Sequence, residues 1–117
     1  MTIQRFDSSQ RMSQTVIHNQ TIYLSGQVPA DESVDIKAQT LCTLQKIDAL
    51  LNQQNLNTDS LLTVTIYIRD MKDFSAMNEV WDAWFSQRAV PARACVEAKM
   101  ARPTLLVEMS CIAAISV

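Results

Sequence analysis

One glycine serves this chain of 117 residues. Average usage, about 7%, would supply roughly eight, so the corners of the fold are turned by other residues. Phosphate-cradling loops and dinucleotide fingerprints need several glycines where backbone meets phosphate. One glycine cannot build either, which argues against a nucleotide cofactor. Histidine is as scarce: His18 stands alone, and no Cys/His spacing matches a zinc site. The expectation is therefore no cofactor and no metal. Cys42, Cys95 and Cys111 are odd in number and far apart, which is not a disulfide framework. No apolar run approaches the ~18 residues that span a bilayer, and Met1–Asp7 lacks a signal-peptide core. A cytoplasmic protein without a membrane partner is expected. The ten basic residues are scattered and the net charge is −2. Sustained nucleic-acid binding usually requires a positive surface, so nucleic acid is not expected as the main partner.

What is present fits one domain, residues 1–117. Hydrophobic residues make up 48% and charged residues 19%, ordinary values for a globular chain. A chain of this length has room for a single core. Ile3–Phe6, Thr15–His18 and Thr21–Ser25 pattern as strands, the last two joined at Asn19-Gln20. His18, beside that turn, is read as structural. From Asp35 to about Gln54 the spacing predicts a helix with Leu41, Leu44, Ile47 and Leu51 on one stripe and Ser33 or Asp35 as its cap. Leu62–Arg69 alternates: Leu62, Val64, Ile66 and Ile68 face one way, Thr63, Thr65, Tyr67 and Arg69 the other. Asp73 to about Gln87 predicts a second helix on Phe74, Met77, Trp81 and Trp84. The pattern gives one sheet with both helices on one face.

The densest chemistry lies in Val90-Pro91-Ala92-Arg93-Ala94-Cys95-Val96-Glu97-Ala98. Strand alternation sets Arg93, Cys95 and Glu97 on one face and the alanines and Val96 on the other. A guanidinium keeps its charge, so a partly buried one is a ready receptor for a carboxylate. Its presence beside Cys95 predicts a lowered thiol pKa, but no histidine is placed to act as a base for that sulfur. Gly26, in Ser25-Gly26-Gln27-Val28-Pro29, serves either a positive φ or the close approach of another group. In the last strand, about Thr104–Ala114, Glu108 sits among apolar neighbours. The short connection Lys99–Pro103 predicts that the last two strands form a hairpin. Arg93 and Glu108 would then share one semi-polar face with Thr63, Thr65, Tyr67, Cys95 and Ser110. Such a face suggests cover by another subunit.

Four segments carry a resemblance over nearly the whole chain: Ser25-Gly26-Gln27-Val28-Pro29, Asp73-Phe74-Ser75-Ala76-Met77-Asn78, Pro91-Ala92-Arg93-Ala94-Cys95-Val96-Glu97 and Val107-Glu108-Met109. The chain resembles the Rid family of reactive intermediate deaminases, also called YjgF/YER057c/UK114, and within it the short RutC-like or YoaB-like subgroup. The resemblance implies an α+β, chorismate-mutase-like (YjgF-like) single domain, a mixed sheet with two helices on one face. It also implies a homotrimer around a central barrel-like core, with pockets between subunits. The implied reaction is hydrolysis of imines or enamines, such as 2-aminoacrylate, to 2-oxo acids and ammonia. Arg93 would bind the substrate carboxylate and Glu108 would activate water. Ser25, Gly26, Cys95, Asn78 and Trp81 would line the pocket. Met12 stands where the best-known deaminases of the family carry a tyrosine, and it has no hydroxyl to donate. Two other readings stay open: a non-catalytic binder or regulator of small carboxylates, and an endoribonuclease.

Overall fold

The computed structural model describes residues 2–115; Met1, Ser116 and Val117, part of the expected 1–117 domain, lie outside the described residues. Three antiparallel strands open the chain: β1 (Gln4–Ser8), β2 (Ser13–His18) and β3 (Thr21–Gln27). Asn19 and Gln20 turn β2 into β3 with φ of 52° and 63°, the left-handed pair that a two-residue hairpin requires. Helix α1 (Ile36–Asn52) follows, capped by Asp35, whose Oδ1 accepts from the Ala38 N–H at 2.9 Å. After a 3₁₀ turn at Thr58–Ser60 come β4 (Leu61–Ile68), helix α2 (Phe74–Phe85), β5 (Ala92–Glu97) and β6 (Val107–Ala114).

The six strands form one mixed sheet in the order β1-β2-β3-β6-β4-β5. Only β4 and β5 run parallel, and α2 is the crossover between them, as a parallel pair demands. One core cluster joins Leu44, Ile47 and Leu51 of α1, Met77, Trp81 and Phe85 of α2, and the inward row Ile22, Leu24, Val64, Ile66, Ile68, Val107 and Met109 of the sheet. Both helices therefore cover one face, as expected, and each fully buried aliphatic side chain contributes roughly 1.5–3 kcal/mol.

Some expectations give way to tertiary packing. The last two strands do not form a hairpin, because β4 lies between β5 and β6. The segment after β5 instead crosses the end of β4, where Ala98 N–H donates to Ile68 O and Arg69 N–H to Leu106 O, each at 2.9 Å. In β4 the register slips between Leu61 and Thr63, so Leu61 enters the core and Leu62 is left half exposed. Leu41 is also exposed; the buried row of α1 runs instead through Ile36, Gln39, Thr40 and Thr43. The hydroxyls of Thr40 and Thr43 are satisfied by the carbonyls of Ile36 and Gln39, four residues back. In α2, Phe85 takes the core place expected for Trp84.

Cys111, on the inward row of β6, is a core residue, and burial pushes its thiol up to about 12 from 9.0. A raised folded-state pKa means the unfolded chain loses this proton first. Stability then falls as pH rises from the ordinary thiol range towards 12, by about 1.4 kcal/mol per unit from this group. Urea titrations at pH 8 and pH 10 should show a steeper loss in the wild type than in Cys111→Val. Equal losses would contradict the buried, protonated thiol.

Candidate functional site

Arg93 is half-buried on β5, opposite Val64 of β4. Val64 is fully buried beneath the helices, and side chains directly opposite each other share a face. Arg93 therefore lies on the helix-bearing face together with Cys95 and Glu97, opposite Ile66 and Ile68. Helix α2 supplies its surroundings. Arg93 Nη1 donates to Asn78 Oδ1 at 2.8 Å, and the guanidinium carbon stands 5.1 Å from the Trp81 ring centre and 5.9 Å from that of Phe74. These are cation–π distances. Among the described residues the ion pairs are Lys37–Glu79 and Arg102–Glu32; Arg93 has no carboxylate partner among them. Asn78 takes one N–H and leaves the rest of the fork open.

Glu108 lies elsewhere. It pairs with Tyr67 across β6–β4, in the row that holds Thr65↔Ser110 and Thr63↔Ile112. That row is on the bare face of the sheet. Arg93 and Glu108 thus lie on opposite faces of one protomer, and so do Cys95 and Ser110. The expected single semi-polar face fails for Arg93 and Cys95, because β5 takes its register from β4 rather than from β6. The Glu108 carboxylate packs directly over Gly26: a Cβ built there would overlap Oε2 and stand 3.1 Å from Cδ. No glycine takes a positive φ, so close approach is the reason for glycine at this position. A cleft of about 350 Å³ opens here, lined by Gly26, Tyr67, Ala98, Lys99, Met100, Glu108 and Ser110. Tyr67, Lys99 and Met100 were not singled out by motif; only the alternation of β4 pointed to Tyr67.

The other expected residues do not gather at one place. Asn78 and Trp81 stand with Arg93. The Ser25 hydroxyl does not line the Glu108 cleft; it donates to Gln14 Oε1 at 2.8 Å. Met12 is exposed in the β1–β2 connection, with β3, β6 and β4 separating β2 from β5. Cys95 departs from expectation in its chemistry. Burial pushes its thiol up, and the attraction of Arg93 offsets this only in part. A raised thiol pKa favours the protonated form, the less nucleophilic one. Phe74, expected on the core stripe of its helix, stands beneath the guanidinium instead. Among the described residues no group of three or more His, Cys, Asp or Glu stands close enough to hold a metal ion, and no helix is long and apolar enough to cross a membrane.

A profile of the Endoribonuclease L-PSP family matches residues 2–115. The RutC family protein YoaB of Escherichia coli is 44% identical over 115 residues, 98% of this chain and 100% of the relative. The crystal structure of a YjgF-family protein from Neisseria meningitidis superposes with a TM-score of 0.92 at 41% identity, covering 100% of this chain and 98% of that one. The crystal structure of E. coli TdcF with bound serine superposes with a TM-score of 0.81 at 26% identity, over 89% of this chain and 87% of that one.

Proposed function

The chain belongs to the Endoribonuclease L-PSP (YjgF/Rid) family, and from that premise we propose that it hydrolyses 2-imino acids and their enamine tautomers, such as 2-aminoacrylate, to 2-oxo acids and ammonia. The observation that carries this reading is the Arg93 guanidinium: within cation–π distance of two aromatic rings, hydrogen-bonded to Asn78, and without an anionic partner among the described residues. Such a fork matches a substrate α-carboxylate bidentately. The serine bound by the TdcF relative carries the same group.

A protonated imine carbon is already electrophilic, so no protein nucleophile is required. Glu108 accepts a proton from water as the oxygen attacks that carbon and returns it to the nitrogen; when the carbinolamine collapses the C–N bond breaks, and its hydroxyl proton passes through Glu108 to the departing ammonia, which leaves as ammonium. The balance is one protonated imine and one water in, one 2-oxo acid and one ammonium ion out. Neither a metal nor a cofactor enters this scheme.

The two half-sites lie on opposite faces of one sheet, so a complete site takes Arg93 from one copy and Glu108 from another. The bare face suits such an assembly: Tyr23, Thr63, Thr65, Tyr67, Ser110 and Ile112 offer little charge besides Glu108. We read the assembly as a homotrimer around these bare faces, with the sites in the clefts between copies. Sedimentation at micromolar concentration should give three times the 13.2 kDa of one chain; a monomer carrying full activity would contradict the shared site.

The assay is a coupled one. A pyridoxal-phosphate enzyme or an amino-acid oxidase releases short-lived imines, and 2-oxo acid formation is followed with and without the protein. The wild type should accelerate release, and Glu108→Gln should lower that acceleration by about 10²–10⁴-fold. No acceleration across small, aliphatic and aromatic imines would overturn the hydrolase reading. Binding of 2-oxo acids without turnover would then favour a carboxylate-binding protein. The ribonuclease in the family's name finds less support: the net charge is −2 and the single histidine, His18, sits at the end of β2.

A further inference from the structure

We propose that Gln14 is a positioning residue for Glu108, acting through the bulge that contains Gly26; this rests on the hydrolytic reading above. The β3–β6 ladder pairs Leu24 with Cys111 and then Gln27 with Met109. Ser25 and Gly26 thus oppose Ser110 alone, two residues against one, which is a β-bulge. The extra residue reverses the alternation. Gln27 turns inward and is 4% exposed, and Gly26 is left beneath the Glu108 carboxylate. With regular pairing Gly26 and Gln27 would exchange faces, and the carboxylate would meet a glutamine side chain instead of a bare Cα.

Gln14 on β2 holds the bulge from both sides. Its Oε1 accepts from Ser25 Oγ at 2.8 Å and from Gln27 Nε2 at 2.9 Å, and Gln27 Nε2 also reaches the Ser25 hydroxyl at 3.1 Å and carbonyl at 3.2 Å. On the far side Lys46 Nζ, from α1, donates to Val28 O at 2.8 Å. One side-chain oxygen therefore ties together the residues before and after Gly26. Gln14 Nε2 makes no hydrogen bond among the described residues, so the tie depends on the oxygen alone. Gln14 hydrogen-bonds to Ser25 and Gln27 and is not among the residues lining the Glu108 cleft, so its effect on the reaction passes through where Gly26 lies.

The single glycine makes the test specific, because protein labelled with [15N]glycine gives one amide signal, that of Gly26. Gln14→Leu removes the acceptor, whereas Gln14→Glu keeps an oxygen for both donors. We expect Gln14→Leu to move the Gly26 signal and to lower kcat at least tenfold with KM changed less than threefold. Gln14→Glu should restore both. Should Gln14→Leu fail to fold, Ser25→Ala, which breaks one of the two bonds, should move the signal in the same direction by less. An unmoved Gly26 signal, or a moved signal with unchanged kcat, overturns the proposal. If the wild type turns over no imine, the hydrolytic reading falls by itself. The Gly26 signal then decides the clamp: moved by Gln14→Leu and restored by Gln14→Glu upholds it, and unmoved overturns it.

Discussion

Arg93→Ala is expected to abolish carboxylate binding and to lower kcat/KM for any 2-imino acid by about 10²–10³-fold. Truncating one member of a desolvated, hydrogen-bonded charge pair costs roughly 2–5 kcal/mol, and each 1.4 kcal/mol is a factor of about ten. The fold should survive. Arg93 gives one side-chain hydrogen bond, to Asn78, and has no ion pair among the described residues. The neighbouring apolar residues Val64, Ile66 and Trp81 belong to the single core cluster formed by the sheet and both helices. Arg93→Lys should recover little, since an ammonium can neither stack on Trp81 as a plane nor grip a carboxylate with two parallel bonds. Calorimetry with a small 2-oxo acid, read beside a thermal melt, separates the two effects. A melt unchanged from the wild type together with lost binding is the expected pair. Retained binding would place the carboxylate receptor elsewhere.

Gly26→Ala is the second large effect, and it should separate activity from stability. The new methyl would overlap Glu108 Oε2, the free end of a flexible side chain. The carboxylate can swing away at little energetic cost. The φ at Gly26 is not positive, so alanine meets no backbone penalty, and the change in unfolding free energy should stay within about 1 kcal/mol. Turnover depends instead on where the carboxylate sits, and a displacement near 1 Å can cost about 10²-fold. Denaturant melts and the coupled assay should therefore diverge: near-normal stability, turnover down by about that factor. Normal turnover would mean that the position of Glu108 over Gly26 is immaterial.

The sequence made the local elements legible. The alternation from Val64 to Ile68, the Asp35 cap and the Asn19-Gln20 turn depend on residues close in the chain, where periodicity and capping chemistry act. Alternation also put Arg93, Cys95 and Glu97 on a common face correctly. What it could not supply was which neighbour each strand would choose. Pairing is decided by packing between distant segments, and a short connection after β5 suggested β6. The strand–helix–strand run of β4, α2 and β5 was the available signal for a parallel pair, and it outweighs loop length. That choice of neighbour moved Arg93 to the opposite face from Glu108. The bulge at Ser25-Gly26 and the slip at Leu62 are likewise long-range: each is a register shift forced by a partner strand, and neither leaves a periodic trace in its own segment. Motif resemblance named Gly26, Arg93 and Glu108 without fixing their geometry. It gave no sign of Gln14, whose role arises from contacts 11 and 13 residues away in sequence.

The central claim is that one site draws Arg93 and Glu108 from different copies. Mixing two inactive variants tests it most directly: Arg93→Ala and Glu108→Gln chains are unfolded together in equal amounts, refolded and assayed. If sites lie between copies in a closed symmetric ring, about a quarter of them receive an intact arginine from one variant and an intact glutamate from the other. About a quarter of wild-type turnover should return, while each variant refolded alone stays inactive. No recovery from a mixture shown to co-assemble would mean that each chain builds its own site, and would contradict a site shared between copies.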